Sequence, residues 1–202
     1  QATLFFDLSA AYDVLDRDLL LKKAECCGIS GSALHWLRSY LSNRSQIVQV
    51  GQALSSEMFL DSGTPQGSSC SCLVFILFVG DLPLWIGDGT LGAYTDDVFV
   101  TVEANDNTEL RNKLEEEGEN IIRYFASNQL VANASKTALV VFGSKSHKPF
   151  KITLSNEAII EMEKEKLLGI TVQSDLKFTR QFDRVTTEAN YALSTLKRLR
   201  QH

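Results

Sequence analysis

Along this chain the apolar positions recur at two periods, and the switches between them mark the elements. Leu4 to Leu8 is apolar on both faces of an extended segment, which reads as a short buried strand with Asp7 near its end. Asp16 or Asp18 is placed to cap a helix that runs through Leu19-Leu20-Leu21 to Cys27 and stops at Gly28. Ser30 or Ser32 starts a second helix, with Leu34, Leu37 and Leu41 on one stripe. Ser45 to Val50 and Ala53 to Leu60 alternate at period two and predict a hairpin. After the polar loop Asp61-Ser62-Gly63-Thr64-Pro65-Gln66-Gly67, a helix is expected from about Ser68 to Trp85. It is apolar nearly all round and therefore expected to be buried.

The second half repeats the mixture. Gly89 to Tyr94 and Val98 to Val102 face each other as strands across Thr95-Asp96-Asp97. Asn107 to about Asn128 carries Leu110, Leu114, Ile121, Ile122 and Phe125 at helical spacing, with acids on the other side. Ala138 to Phe142 reads as a strand, Ile152 to Ile160 as a hairpin turning near Asn156, and Lys166 to Val172 as one further strand. Phe178 to Arg200 closes the chain as a helix. With no repeat and no linker, strands and hairpins mixed with helices predict an α+β fold rather than a doubly wound sheet.

Composition narrows the class. A chain of 202 residues, 44% apolar and 22% charged with 3 Pro and 12 Gly, is neither disordered, collagen-like nor a coiled coil. Its longest unbroken apolar run, Leu73 to Val79, is far short of the ~20 residues of a membrane span. The N-terminus has no basic n-region and opens directly on a strand. That leads us to expect a piece of a longer, intracellular protein. The net charge of −5 resides in one stretch: seven of the 25 acids and two of the 20 bases lie between Glu103 and Glu119, and the remainder is balanced. We expect that stretch to be a solvated helix face. Cys26-Cys27 and Cys70-x-Cys72 lack the paired spacing of a zinc site and read as free buried thiols.

The candidate chemistry is acidic. Asp96 and Asp97 stand at a tight turn between two apolar strands, where Asp is also favoured for backbone reasons alone. Asp7 stands at another strand end, again after aromatic residues. Carboxylates brought to neighbouring strand ends repel unless a cation lies between them. Mg²⁺, a hard ion that prefers carboxylate oxygen, suits that position, and a pair ~4 Å apart suits displacement at phosphorus.

In this arrangement the chain resembles the reverse transcriptases, in the form found in non-LTR retrotransposons. Phe5-Phe6-Asp7-Leu8-Ser9-Ala10-Ala11-Tyr12-Asp13 resembles their motif A, and Ser62-Gly63-Thr64-Pro65-Gln66-Gly67-Ser68 their motif B, with Gly80-Asp81-Leu82-Pro83 similar to the end of its helix. Ala93-Tyr94-Thr95-Asp96-Asp97 resembles motif C, and Phe125 to Phe142, with Lys136-Thr137, resembles motif D. Lys166 to Val172 is similar to the strand after motif D. Thr95 stands where this group usually has Ala, and Ser69 to Cys72 where Leu and Pro are common.

The resemblance implies a polymerase palm over residues 1–175, with a central antiparallel sheet backed by helices, and the beginning of a thumb helix over 176–202. It implies RNA-directed DNA synthesis, with RNA template, DNA primer and deoxynucleoside triphosphates as partners, no membrane, and Mg²⁺ (or Mn²⁺) as cofactor. Asp7, Asp96 and Asp97 match the catalytic metal ligands, and the Leu8 backbone carbonyl is a further donor. Tyr12, five residues past Asp7, matches the gate against a ribose 2′-hydroxyl, with core packing as the alternative. Gln66 and Gly67 match residues near the incoming nucleotide and template. Lys136 matches a lysine that neutralises the leaving pyrophosphate, or is simply a surface side chain. Asp13 is expected to end its strand and cap the next segment rather than bind metal. Arg198 and Arg200 are candidates for primer phosphates or a basic helix end. An RNA-dependent RNA polymerase shares this palm, but Tyr12 argues against it. A decayed or domesticated palm, acting as a binding module, is the alternative of a different class.

Overall fold

The computed structural model describes residues 1–132, 136–143 and 149–199, and Arg200 lies outside them. Strand β1 (Ala2–Asp7) is followed by the single turn α1 (Ala11–Val14), then α2 (Arg17–Cys26) and α3 (Gly31–Leu41). Short strands β2 (Arg44–Gln46), β3 (Gln49–Val50), β4 (Ala53–Leu54) and β5 (Met58–Leu60) lead to α4 (Ser69–Val79). Next come β6 (Thr90–Tyr94), β7 (Asp97–Val102), α5 (Asn107–Ser127) and β8 (Ala138–Val141). Two hairpins, β9 (Lys151–Leu154) with β10 (Glu157–Ile160) and β11 (Lys164–Leu167) with β12 (Ile170–Gln173), precede α6 (Thr179–Leu199).

The centre is a four-stranded antiparallel sheet in the order β6-β7-β1-β8. Strand periodicity sorts its side chains. Leu4, Phe6, Val98, Val100 and Val102 point to one face and join residues of α2, α4 and α5 in the main core. Thr3, Phe5 and Asp7 point to the other. There Thr3 meets Thr101 through their hydroxyls (2.8 Å), Phe5 meets Phe99 (centroids 6.0 Å apart), and Asp7 lies opposite Asp97. Gly92, paired with Phe99, is required on this face: a Cβ there would come within 2.1 Å of the Phe99 ring. A smaller cluster of Phe5, Ala138 and Val140, with Phe99 and Leu167 against it, covers part of the same face and stops short of the acids.

Several expectations change. The helix expected over 68–85 ends at Val79, and a 3₁₀ turn at Leu82–Trp85 comes after it, because Pro83 has no N–H to continue the ladder. It is also not buried all round, since Leu73 and Ile76 are exposed. The strand expected over 166–172 is a hairpin that turns at Leu168 and Gly169, both at positive φ (49° and 81°). The 45–60 hairpin exists, but its register slips between the β2–β5 and β3–β4 pairs, and it lies on the surface. Cys26, Cys27 and Cys72 are exposed free thiols and Cys70 is half-buried, so the thiols are not core residues. Asp13 caps no helix; Asp16 caps α2 by accepting from the Leu19 N–H (2.8 Å).

The acidic stretch of α5 is not simply solvated. Glu117 is 4% exposed and accepts the N–H groups of Gly87 (3.1 Å) and Gly89 (2.9 Å), in the turn before β6. Glu115 and Glu119 accept from the Thr153 and Ser155 N–H groups (2.8 and 2.5 Å), so the acids clamp β9 to the helix. At the helix's other end the Tyr124 hydroxyl donates to Asp81 (2.5 Å), which also receives Lys23 Nζ (2.7 Å). Burial pushes the Tyr124 hydroxyl upward in pKa. Burial also raises Asp81, but the Lys23 and Tyr124 hydrogen bonds outweigh it and hold that carboxyl low.

Candidate active site

Asp7 ends β1 and Asp97 begins β7, and the register places them directly opposite each other. Asp96 is the second residue of the two-residue turn joining β6 to β7, with Thr95 at φ 56°. The Thr95 hydroxyl donates to Asp96 Oδ1 (2.8 Å), so the turn is fixed by its own side chains. Carboxylates 90 positions apart in the chain, Asp7 and Asp97, thus meet at one end of the sheet on the face away from the main core, with Asp96 in the adjoining turn. The Asp97 carboxyl is raised above its ordinary range, first by burial and then by the charges of Asp96 and Asp7.

Lys136 lies on the other side of β1. Phe5 pairs with Ala138, and two further steps along that antiparallel register bring Lys136 beside Asp7. Its Nζ donates to Asp7 Oδ2 at 3.0 Å. Asp7 therefore stands between an acid on β7 and a base ahead of β8. The cleft there, about 280 Å³, also has Glu165 and Lys166 of β11 in its walls. Leu8, buried, bridges to Ala132 and keeps β1 extended past Asp7.

Tyr12 sits on α1, its ring stacked on Phe75 of α4 (4.8 Å between centroids) and its hydroxyl donating to Cys72 Sγ (3.8 Å). Its pKa is pushed up to about 12. Burial contributes most, Cys72 next and the Asp96 charge least, against a lowering hydrogen bond with Thr95. The Tyr12 ring packs on α4, as the packing alternative has it, and its hydroxyl lies near the Thr95–Asp96 turn.

The 61–67 loop is built by a residue that sequence reasoning missed. The Arg17 guanidinium donates to the carbonyls of Gly63 (2.8 Å), Ser62 (2.7 Å) and Leu60, pinning the loop to the start of α2. Gly63 is obligatory at φ +75°, because a Cβ would lie 2.7 Å from the carbonyl oxygens of both Tyr12 and Asp13. Gln66 is exposed and its amide donates to Asp13 Oδ1 (2.6 Å), so Asp13 holds the loop. Gly67 is at φ +78° with open space where a Cβ would stand. Arg198 is exposed on α6 and donates to the Ser194 carbonyl (3.4 Å) of its own helix. Arg17 left no signal in sequence because its partners are backbone carbonyls more than 40 residues away.

The acids suit a hard divalent cation chemically: all donors are carboxylate oxygens, and Asp97 carries a charge its neighbours do not offset. As the side chains stand, no group of three His, Cys, Asp or Glu among the described residues converges as a metal site.

Residues 1–172 match the family profile of the reverse transcriptases (RNA-dependent DNA polymerases). The chain is 25% identical, over 183 residues, to the RNA-directed DNA polymerase from mobile element jockey of Drosophila funebris. It is 27% identical over 184 residues to the probable RNA-directed DNA polymerase from transposon BS of Drosophila melanogaster. Each comparison covers 87% of this chain, yet the chain spans about a fifth of the length of those relatives. Among solved structures, the apo telomerase of Candida tropicalis, truncated from its C-terminal domain, superposes with a TM-score of 0.61 at 14% identity. That match covers 88% of this chain and 34% of the telomerase. A telomerase of Candida albicans, solved with a fragment of telomeric RNA, gives 0.57 at 19% identity over 87% of this chain and 30% of its own. At these identities the likeness is one of fold, and it is the fold expected: an α+β palm.

Proposed function

The chain belongs to the reverse transcriptase family, and from that premise we propose that it is the palm of an RNA-directed DNA polymerase of the non-LTR retrotransposon type. The observation that carries this reading is the register of Asp7 opposite Asp97, with Asp96 at the adjoining turn. Divalent cations held by these carboxylates, with the Leu8 carbonyl as a further donor, would supply charge neutralisation for attack of a primer 3′-hydroxyl on a deoxynucleotide. The protein's own share is placement. The 61–67 loop, fixed by Arg17 and Asp13, presents Gln66 and Gly67 toward template and nucleotide, and Tyr12 limits the room beside the sugar. Lys136 faces the leaving pyrophosphate. Residues 1–175 form the palm, and 176–202, anchored where Gln181 accepts the Thr171 N–H (2.9 Å), begin the thumb. Arg198 and Arg200 are reserved for primer phosphates, and the likeness to polymerases of mobile elements supports an intracellular setting. Among the described residues no helix is long and apolar enough to cross a membrane.

The test is primer extension on an RNA template by the complete parent protein with Mg²⁺ or Mn²⁺. Asp7→Asn and Asp96→Asn should each lower extension by about a thousandfold or more, as loss of electrostatic stabilisation does. Wild-type protein that binds RNA but never extends a primer would instead identify a decayed palm kept as a binding module.

A further inference from the structure

Asp7 is the acid at which three neighbouring strands meet, and its Oδ2 is engaged by Lys136 Nζ at 3.0 Å. The register makes this contact: β8 runs antiparallel to β1, and the step from Ala138 back to Lys136 mirrors the step from Phe5 on to Asp7. Both side chains are open to water, 61% exposed for Lys136 and 38% for Asp7, so the pair is weak and easily exchanged. The ammonium sets its positive charge against the Asp7 carboxylate, in the cleft that Asp7 and Asp97 line together. A divalent cation shared with Asp97 would be drawn to the same carboxylate and repelled by the ammonium beside it. One lysine and one cation therefore compete for the charge of one carboxylate.

We propose that Lys136 is a built-in occupant of the cation position at Asp7, so that divalent-ion loading and release of the Lys136 ammonium are a single exchange. This rests on the reading of Asp7, Asp96 and Asp97 as the metal ligands. The exchange moves no proton and breaks no covalent bond: the carboxylate oxygen passes from N–H···O contact to metal contact, and the ammonium keeps its three protons. Its consequence is order. Lys136 becomes more available to a phosphate once the site has filled, which biases the lysine toward a triphosphate at a loaded site. Lys166, in the wall of the same cleft, forms no ion pair with Asp7 among the described residues.

Two measurements on the complete chain test this. Mn²⁺ titration followed by electron paramagnetic resonance, with Asp96→Asn as the subtraction reference, should show Lys136→Met binding Mn²⁺ roughly three- to fivefold more tightly than wild type, with Lys136→Arg unchanged. Competitive acetylation read by peptide mapping should show Lys136 reacting several-fold faster when saturating Mg²⁺ is added to EDTA-stripped protein, with Lys113 as internal control. In Asp7→Asn that lysine should react fast with or without Mg²⁺. Equal Mn²⁺ affinity in Lys136→Met and wild type, with binding still lost in Asp96→Asn, overturns the exchange and leaves the metal-site reading standing. Mn²⁺ binding unaffected by Asp96→Asn overturns both. Acetylation of Lys136 that is blind to Mg²⁺ in a protein that binds it also overturns the exchange.

Discussion

Single residues at this site are held by contacts that an aligned motif does not show. Asp97 carries a pKa raised by burial and by two like charges, so its ionised form opposes folding at neutral pH. Proton counting gives the sign. In the window above the ordinary carboxylate pKa, the folded state binds more protons at Asp97 than the unfolded state does, so stability falls as pH rises through it. Asp97→Asn should therefore stabilise the protein at pH 7 by about 0.2–1 kcal/mol, as relief of an opposed like-charge pair does. The gain should vanish below the ordinary carboxylate range; equal gains at pH 3 and pH 7 in urea melts would contradict it. Tyr12→Ala should raise ribonucleotide incorporation by the parent enzyme by about tenfold or more, roughly the discrimination one well-placed steric contact supplies. Tyr12→Phe should leave it near wild type, because the ring rests on Phe75 and the hydroxyl's partner is a thiol. The meeting of Asp7 with Asp97 was legible through the family resemblance, since Asp at a tight turn is also favoured for backbone reasons alone. The Lys136–Asp7 pair was not, since it depends on the β1–β8 register.

Elements were legible where one period ran uninterrupted and illegible where two short ones abutted. Strands β1 and β7 and helix α5 keep closely to their patterns because each buries a face against the same core, and β6 follows β7 through their ladder. The β11–β12 hairpin was hidden since Leu168-Gly169 sits inside an apolar run, and the positive φ that turns the chain falls partly on a leucine. The acidic face of α5 looked like solvent-facing charge, yet charge alone does not say whether backbone donors wait opposite. Glu117 answers the N–H groups of Gly87 and Gly89, in the segment that delivers β6 and thus the Thr95–Asp96 turn. Glu117→Ala would remove the buried carboxylate that both N–H groups share and is expected to cost about 1.5–3 kcal/mol, the worth of a hydrogen bond to a charged group. Urea denaturation measures it. A loss under about 0.5 kcal/mol would mean that water replaces the carboxylate without difficulty. Because β6 starts from this turn and leads into the turn that holds Asp96 and delivers Asp97 to β7, the same variant should weaken Mn²⁺ binding without touching a ligand.

At the scale of the molecule, the chain builds a core and an acid site but leaves large apolar surfaces uncovered. Phe182, Tyr191, Leu193 and Leu196 of α6 are exposed, as are Val50, Leu54, Met58 and Phe59 on the β2–β5 hairpin and Leu84 beyond α4. Such patches on a protein in water mark association surfaces. Electrostatically the chain carries −5 overall, and its basic residues are balanced by acids outside the 103–119 stretch. Phosphate contacts supply most of the affinity for a primer–template, and a chain without a broad basic surface gains little of it. The 202-residue chain taken alone should therefore fold, with a cooperative urea transition, and self-associate at micromolar concentration in sedimentation velocity runs. Replacing Phe182 and Tyr191 with Ser should shift it toward monomer without moving the transition, since neither side chain joins the core. It should bind divalent ions through Asp7, Asp96 and Asp97 and yet extend no primer in Mg²⁺ or Mn²⁺. Extension by the isolated chain that disappears in Asp96→Asn would show that the palm grips nucleic acid unaided, and that its charge balance understates its local field.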